Sequence, residues 1–256
     1  MARRRKSNRR RRGHFGVLYK LLSVLVICGA IIAALTLFFR VDTVAVTGQQ
    51  RYTEQQVREA AGVAAGDNLY LLNKNTVAGN IVEALPYIEH IRINRKLPDT
   101  LLIEVEECGR PLAILQDGYA WLVSPKGKIV DQLAPGEATG YAAISGCTLL
   151  APSVGTKLVL ATEYASRQES LLELLAALED AEMLDNVDGI RLDAPAFIAM
   201  DYAGRFAVEM LYEDDYVYKL KMLNAALDSG KIQDNMTGTF DMRREDGRTY
   251  FIQEER

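Results

Sequence analysis

HIRINRKLPDTLLIEVE, residues 90–106, decides how the first half of the chain folds. Ile91 and Ile93 alternate with His90, Arg92 and Asn94. Leu97-Pro98-Asp99 breaks the run, and Leu101, Ile103 and Val105 then alternate with Glu104 and Glu106. A period of two on both sides of a Pro-Asp turn is the signature of a β-hairpin with one buried face. Such a face needs a cover, and the residues before it supply one. Val41–Thr47 is β-branched and alternating, and Gly48 ends it. Thr53 stands three residues before Gln56, the spacing of a capping box. Val57, Ala60 and Ala61 follow at helical intervals, and Gly62 stops that helix. Gly66-Asp67-Asn68 makes a turn before Leu69-Tyr70-Leu71-Leu72. A second helix opens at Asn75 or Thr76, carries Val77, Ile81 and Leu85 on one face, and ends at Pro86. Residues 41–112 therefore read as one β-α-α-β-β unit.

Upstream, Leu21–Phe39 is a run of 19 residues without a charge. As a helix it reaches roughly 28 Å, about the hydrocarbon thickness of a bilayer. Lys20 and Arg40 bracket it. Residues 1–20 carry nine Arg/Lys and no acid, so this tail is expected to stay in the cytoplasm with the bulk of the chain outside. A cleaved signal peptide fits less well, because the apolar run is long and ends in Leu37-Phe38-Phe39 rather than at small residues. The whole chain has 30 basic and 34 acidic side chains, but ten of the basic ones precede Asp42. The remainder carries a net charge of −14, a poor surface for nucleic acid and a suitable one for protein contacts.

Downstream, residues 113–256 mix strands and helices. Tyr119–Val123 and Ile129-Val130 flank Ser124-Pro125-Lys126-Gly127-Lys128. Leu171, Leu174, Leu175 and Leu178 form a helical stripe that reads as core. Ile190–Leu192, Phe197–Tyr202 and Arg205–Leu211 read as strands, the last two joined by a two-residue turn at Ala203-Gly204. Asp214–Ser229 reads as a helix with Tyr216, Leu220, Leu223 and Leu227 on one side. Thr237–Met242 and Arg248–Gln253 close the chain as a strand pair joined across Glu245-Asp246-Gly247. A terminal strand often lies at a sheet edge, where its outer N–H and C=O groups have no partner. Tyr250-Phe251-Ile252 is then either a tolerated or inner strand, or a docking edge to which a partner adds a strand.

These motifs together resemble a known family. Val44-x-Val46-x-Gly48, Gly66-Asp67-Asn68-Leu69, Leu85-Pro86-Tyr87-Ile88 and Ile93-x-Arg95-x-Leu97-Pro98-Asp99-Thr100-Leu101-x-Ile103-x-Val105-x-Glu107 resemble the polypeptide-transport-associated (POTRA) domain. Set beside one signal anchor, that domain is similar to the one in FtsQ/DivIB bacterial cell-division proteins. Ile144-Ser145-Gly146, Val154-Gly155-Thr156-Lys157-Leu158, the Lys-x-x-x-Leu helix from Lys219, and Phe240-Asp241-Met242-Arg243 follow in the family's order. The likeness covers roughly residues 10–252. Leu97 departs from it, standing where many members carry Trp.

The resemblance implies an α+β chain: a basic cytoplasmic tail (1–20), a transmembrane helix (21–39), a POTRA domain (41–112) and a C-terminal domain with a mainly antiparallel sheet (113–256). It implies a non-catalytic divisome scaffold at the division septum. The implied partners are FtsB/DivIC-like and FtsL-like proteins and, beyond them, septal peptidoglycan synthesis proteins. The implied contacts are Phe240, Asp241, Arg243, Tyr250, Phe251 and Ile252. Two other readings stand beside it: a POTRA-bearing component of a secretion or sporulation channel, and a membrane-anchored envelope enzyme.

The residues themselves point to no chemistry. His14 and His90 are the two histidines, and neither has a metal-ligand spacing. Nucleophile elbows, phosphate loops and HExxH are absent from the sequence. The acidic groups Asp180, Glu182, Asp185 and Asp188, and Asp214-Asp215, sit where helix ends and turns are expected. No cofactor or metal is expected. Cys28 lies in the apolar run, and an extracytoplasmic setting allows but does not require a bond between Cys108 and Cys147.

Overall fold

The computed structural model describes residues 15–233, 235–244 and 248–254. The basic run up to Arg12 and the turn Glu245-Asp246-Gly247 lie outside the described residues. The chain is α+β, and most strand neighbours are antiparallel. The described residues open with helix α1 (Phe15–Phe38), which begins before the apolar run and ends one residue short of its end at Phe39. Leu18–Thr36 within it is long and apolar enough to cross a membrane, and none of that window is buried.

The β-α-α-β-β unit follows: β1 (Thr43–Thr47), α2 (Glu54–Ala61), α3 (Lys74–Ala84), β2 (Ile88–Lys96) and β3 (Thr100–Glu107). Strand β3 lies in the middle, antiparallel to β2 and parallel to β1. Thr53 and Gln56 form the capping box on α2, and Gly62 ends that helix in the left-handed region. Helix α3 starts earlier than the Asn75 or Thr76 expected, because Asn73 accepts from the Asn75 amide and caps it first. Val57, Val77 and Ile81 cover Ile93, Leu101, Ile103 and Val105 in one core. Gly48 passes so close to β3 that a Cβ there would lie 2.1 Å from the Val105 carbonyl oxygen.

The second sheet has nine strands: β4 (Leu112–Gln116), β5 (Tyr119–Val123), β6 (Ile129–Leu133), β7 (Ala143–Ser145), β8 (Val187–Arg191), β9 (Phe197–Tyr202), β10 (Phe206–Leu211), β11 (Gly238–Asp241) and β12 (Tyr250–Gln253). Their order is β12-β11-β10-β9-β8-β7-β4-β5-β6. Helix α4 (Ala165–Asp180) runs before β8, and helix α5 (Tyr216–Asp228) runs between β10 and β11. The Leu171, Leu174, Leu175 and Leu178 stripe of α4 and Leu220 and Leu223 of α5 share a core with Ile198, Met200, Val208 and Phe240. The turn between β9 and β10 takes three residues, not the two expected. Tyr202 pairs directly with Phe206, so Arg205 belongs to the turn, and Ala203 and Gly204 both adopt positive φ. The two sheets meet through Tyr87, which packs with Ala113, Leu122 and Val130 and donates to Asp131 Oδ2 at 2.9 Å. Lys126 reaches the largely buried Glu89 carboxylate at 3.1 Å.

Candidate functional site

Strand β12 occupies one edge of the nine-stranded sheet, with β11 as its neighbour. The pairing is Asp241 with Tyr250, Phe240 with Phe251, Thr239 with Ile252 and Gly238 with Gln253. The Glu254 amide donates to the Thr237 carbonyl at 3.0 Å. Antiparallel ladders alternate, so in this register Tyr250 and Ile252 also direct their main-chain groups at β11. Phe251 and Gln253 therefore direct N–H and C=O outward, along the free edge. A Cβ on Gly238 would lie 2.3 Å from the Ile252 carbonyl oxygen, so glycine there lets the last strand seat.

The side chains divide by the same alternation. Phe240 is fully buried and stacks edge-on to Phe206 at 5.2 Å and against Phe251 at 5.0 Å. Its ring lies beneath the edge and has no exposed surface. Phe251 is half-buried on that ring pair. Ile252 is 56% exposed, and Tyr250 is half-buried with the Arg244 guanidinium 4.3 Å from its ring centroid. Met222, Ala225 and Ala226 of α5 and Arg248, Thr249 and Tyr250 line an open groove of about 530 Å³ beside this edge. Val217 and Tyr218 of α5 are exposed apolar side chains.

Arg243 follows β11 and makes a two-pronged contact with Asp241, Nε to Oδ1 at 2.9 Å and Nη2 to Oδ2 at 3.0 Å. Its Nε also lies 3.2 Å from Glu209 Oε2 on β10, and its guanidinium lies over the Phe197 ring at 4.9 Å. Hydrogen bonds from Arg243 hold the Asp241 carboxyl down at about 2, against an ordinary 3.8. Lys219, which the sequence marks only as the start of the Lys-x-x-x-Leu helix, has a role that sequence reasoning missed. It is 7% exposed, and its Nζ donates to the Met242 carbonyl at 2.6 Å and the Arg244 carbonyl at 3.4 Å, with Asp214 Oδ2 at 3.2 Å. This ammonium pins the chain leaving β11 to α5. The signal was present: Lys219 falls in the buried stripe Tyr216, Leu220, Leu223, where an unpaired cation would be costly.

The cysteines take no part in this site. All three are free thiols. Burial pushes Cys108 up to about 12 and Cys147 up to about 11, so neither forms a thiolate at neutral pH. Among the described residues, no group of three or more His, Cys, Asp or Glu is placed to hold a metal ion.

Residues 39–107 match the family model of the POTRA domain, FtsQ-type. The chain is 26% identical to a cell division protein FtsQ of Geotalea daltonii over 75% of its own length and 68% of that protein. It is 34% identical to the FtsQ of Corynebacterium glutamicum over 34% of its length and 40% of that protein. It is 24% identical to a cell division protein DivIB of Clostridium botulinum over 37% of each. Matched spans thus range from about two fifths to two thirds of these relatives. The fold and these matches define a class: one apolar N-terminal helix followed by an FtsQ-type POTRA domain and a large mixed sheet. Within that class the chain is similar to the FtsQ/DivIB cell division proteins, which supports a role in cell division.

Proposed function

We propose that the chain is a non-catalytic divisome scaffold whose β12 edge captures an FtsB/DivIC-like partner by strand addition, with an FtsL-like protein in the same assembly. Helix α1 anchors it in the cell membrane with the basic tail inside and both sheets outside, at the septum. Residues 41–112 act as the POTRA domain, and residues 113–256 present the edge. The observation that carries this reading is the outward row of main-chain groups at Phe251 and Gln253, flanked by Tyr250 and Ile252 and backed by β11 and the Asp241–Arg243 pair. Asp241 and Arg243 supply charged contacts at its rim. Holding both proteins beside one membrane raises their effective concentration, so a modest interface suffices.

The test is direct binding of residues 41–256 to the FtsB/DivIC-type protein of the same organism, measured by calorimetry. Truncation after Gly247 is expected to abolish it. Unchanged binding would move the site away from β12, with α5 the next surface to probe. A reporter active only in the cytoplasm, fused after Arg256, is expected to be silent.

A further inference from the structure

The segment leaving α1 runs between two loops of the POTRA unit. On one side, the Val41 amide donates to the Asp67 carbonyl at 2.7 Å and the Leu69 amide to the Phe39 carbonyl at 2.9 Å. On the other, the Asp42 and Thr43 amides donate to the Asp99 carbonyl at 2.9 and 3.3 Å. Asn68 reaches back to the helix itself. Its Nδ2 donates to the Leu35 and Thr36 carbonyls of the last helical turn at 3.2 and 3.3 Å, sharing the Leu35 carbonyl with the Phe39 amide at 3.3 Å. Its Oδ1 accepts from the Tyr70 and Leu71 amides at 2.9 and 3.1 Å. One side chain thus ties the loop 66–73 to the end of the apolar window, which closes at Thr36.

Both loops carry bare apolar tips. Leu71 is 77% exposed, Tyr70 50% and Leu97 54%. Phe39 stacks edge-on to Tyr70 at 5.1 Å and to Phe38 at 5.6 Å, which makes an aromatic run continuous with α1. Arg40 and Lys96 are exposed beside these tips in the chain, with Asp42, Asp67 and Asp99 the nearby acids. Apolar and aromatic tips with flanking cations, fixed to the end of a membrane-crossing helix, have the chemistry of a bilayer interface: rings and aliphatic tips at the acyl boundary, cations at phosphate.

We propose that the loop Tyr70-Leu71, with Leu97 of the β2–β3 turn, docks into the lipid headgroup layer and sets the POTRA domain against the membrane. This rests on α1 spanning the bilayer. The occupant is lipid because the patch is continuous with α1 through Phe38 and Phe39, and because Asn68 fixes its height at the end of the apolar window.

The test uses the full chain in phosphatidylcholine nanodiscs, with native Trp121 as the constant background. Trp is introduced singly as Leu71→Trp, Ile27→Trp or Leu115→Trp, and the lipid is brominated close to the headgroup or deep in the acyl chain. Leu71→Trp is expected to add blue-shifted emission that headgroup-proximal bromine quenches by more than half. Ile27→Trp should be quenched by deep bromine, and Leu115→Trp, exposed on the second sheet, by neither. Quenched Ile27→Trp with unquenched Leu71→Trp overturns the docking alone. Unquenched Ile27→Trp overturns the membrane span and the docking together. Equal quenching of Leu115→Trp and Leu71→Trp assigns the signal to the introduced Trp and also overturns the proposal.

Discussion

The nine-stranded sheet finishes its two edges in opposite ways. At the β6 edge, the Ile129 amide donates to the Thr156 carbonyl and the Gly155 amide to the Ile129 carbonyl, both at 2.8 Å. Leu158 closes onto Gly127 in the same manner at 2.7 Å, and Tyr87 of the POTRA unit packs on Val130. At the β12 edge, the Glu254 amide extends the same inner ladder to the Thr237 carbonyl, and among the described residues no strand pairs with the outer side of β12. An open edge is a liability that proteins ordinarily blunt with charge, proline or a covering loop. The sheet thus seals one end with a loop and a neighbouring unit and carries aromatic and branched residues on the other, and the proposed docking rests on that difference. The open end also has an inner layer, because the fully buried Phe240 ring lies beneath Phe251.

The largest effect that would break this comparison is structural. Phe240→Ala removes a fully buried ring beneath the edge and is expected to cost about 3–5 kcal/mol in thermal or chemical unfolding. It should abolish docking only by loosening β11 and β12. Next come the surface residues. Tyr250→Ala is expected to weaken partner binding by about 2 kcal/mol, roughly thirtyfold, while the domain still melts cooperatively. Gln253→Pro is sharper, because its side chain is exposed and its amide faces outward. Proline there removes one docking donor and leaves the β11 ladder whole. If Gln253→Pro binds as tightly as the native chain, strand addition at this edge is wrong even where Tyr250 matters.

Local chemistry made the first unit readable. The capping box at Thr53 and Gln56, the alternation through residues 90–106 and the stop at Gly62 each act within a few residues, and the structure places them as the sequence does. The second sheet was readable in pieces. Phe197–Tyr202 is recovered with both ends, yet nothing in those residues says that β7 joins β4 to β8 by two parallel pairings. That order is fixed by long-range packing, as is the burial of Leu112-Ala113-Ile114 on both faces, which leaves no alternation to read in β4. The edge position of β12 was one of two readings from sequence. The parity that points Phe251 and Gln253 outward needed the Glu254 bond, and the Lys219 tether needed the fold.

At the sealed edge a smaller effect is expected. Tyr87→Phe removes the hydrogen bond to Asp131 and should cost about 1 kcal/mol, because Asp131 keeps access to water. Calorimetric unfolding would measure this. Partner binding should be unchanged, and a loss of affinity would show that the two edges are coupled through the sheet.

The smallest expected effect is at the open edge and is read in acid. Arg243 holds the Asp241 carboxyl below its ordinary value, at about 2 against 3.8. A depressed carboxyl contributes stability that is complete above its unfolded value and is lost as pH falls through its folded value. The Asp241–Arg243 contribution should therefore be constant above about pH 4, shrink between about pH 4 and 2, and be gone below. Arg243→Met removes the cause and leaves Glu209 and Asp241 facing each other without the guanidinium. The native chain should be the more stable of the two above pH 4, with the difference closing on the acid side. Because Arg243 is 38% exposed, solvent screens the pair, and added salt should narrow the same gap at neutral pH. Denaturant titrations of both chains across that pH range give the comparison. A gap that stays constant down to pH 2 would show that Arg243 acts through its packing on Phe197 and not through the carboxylate.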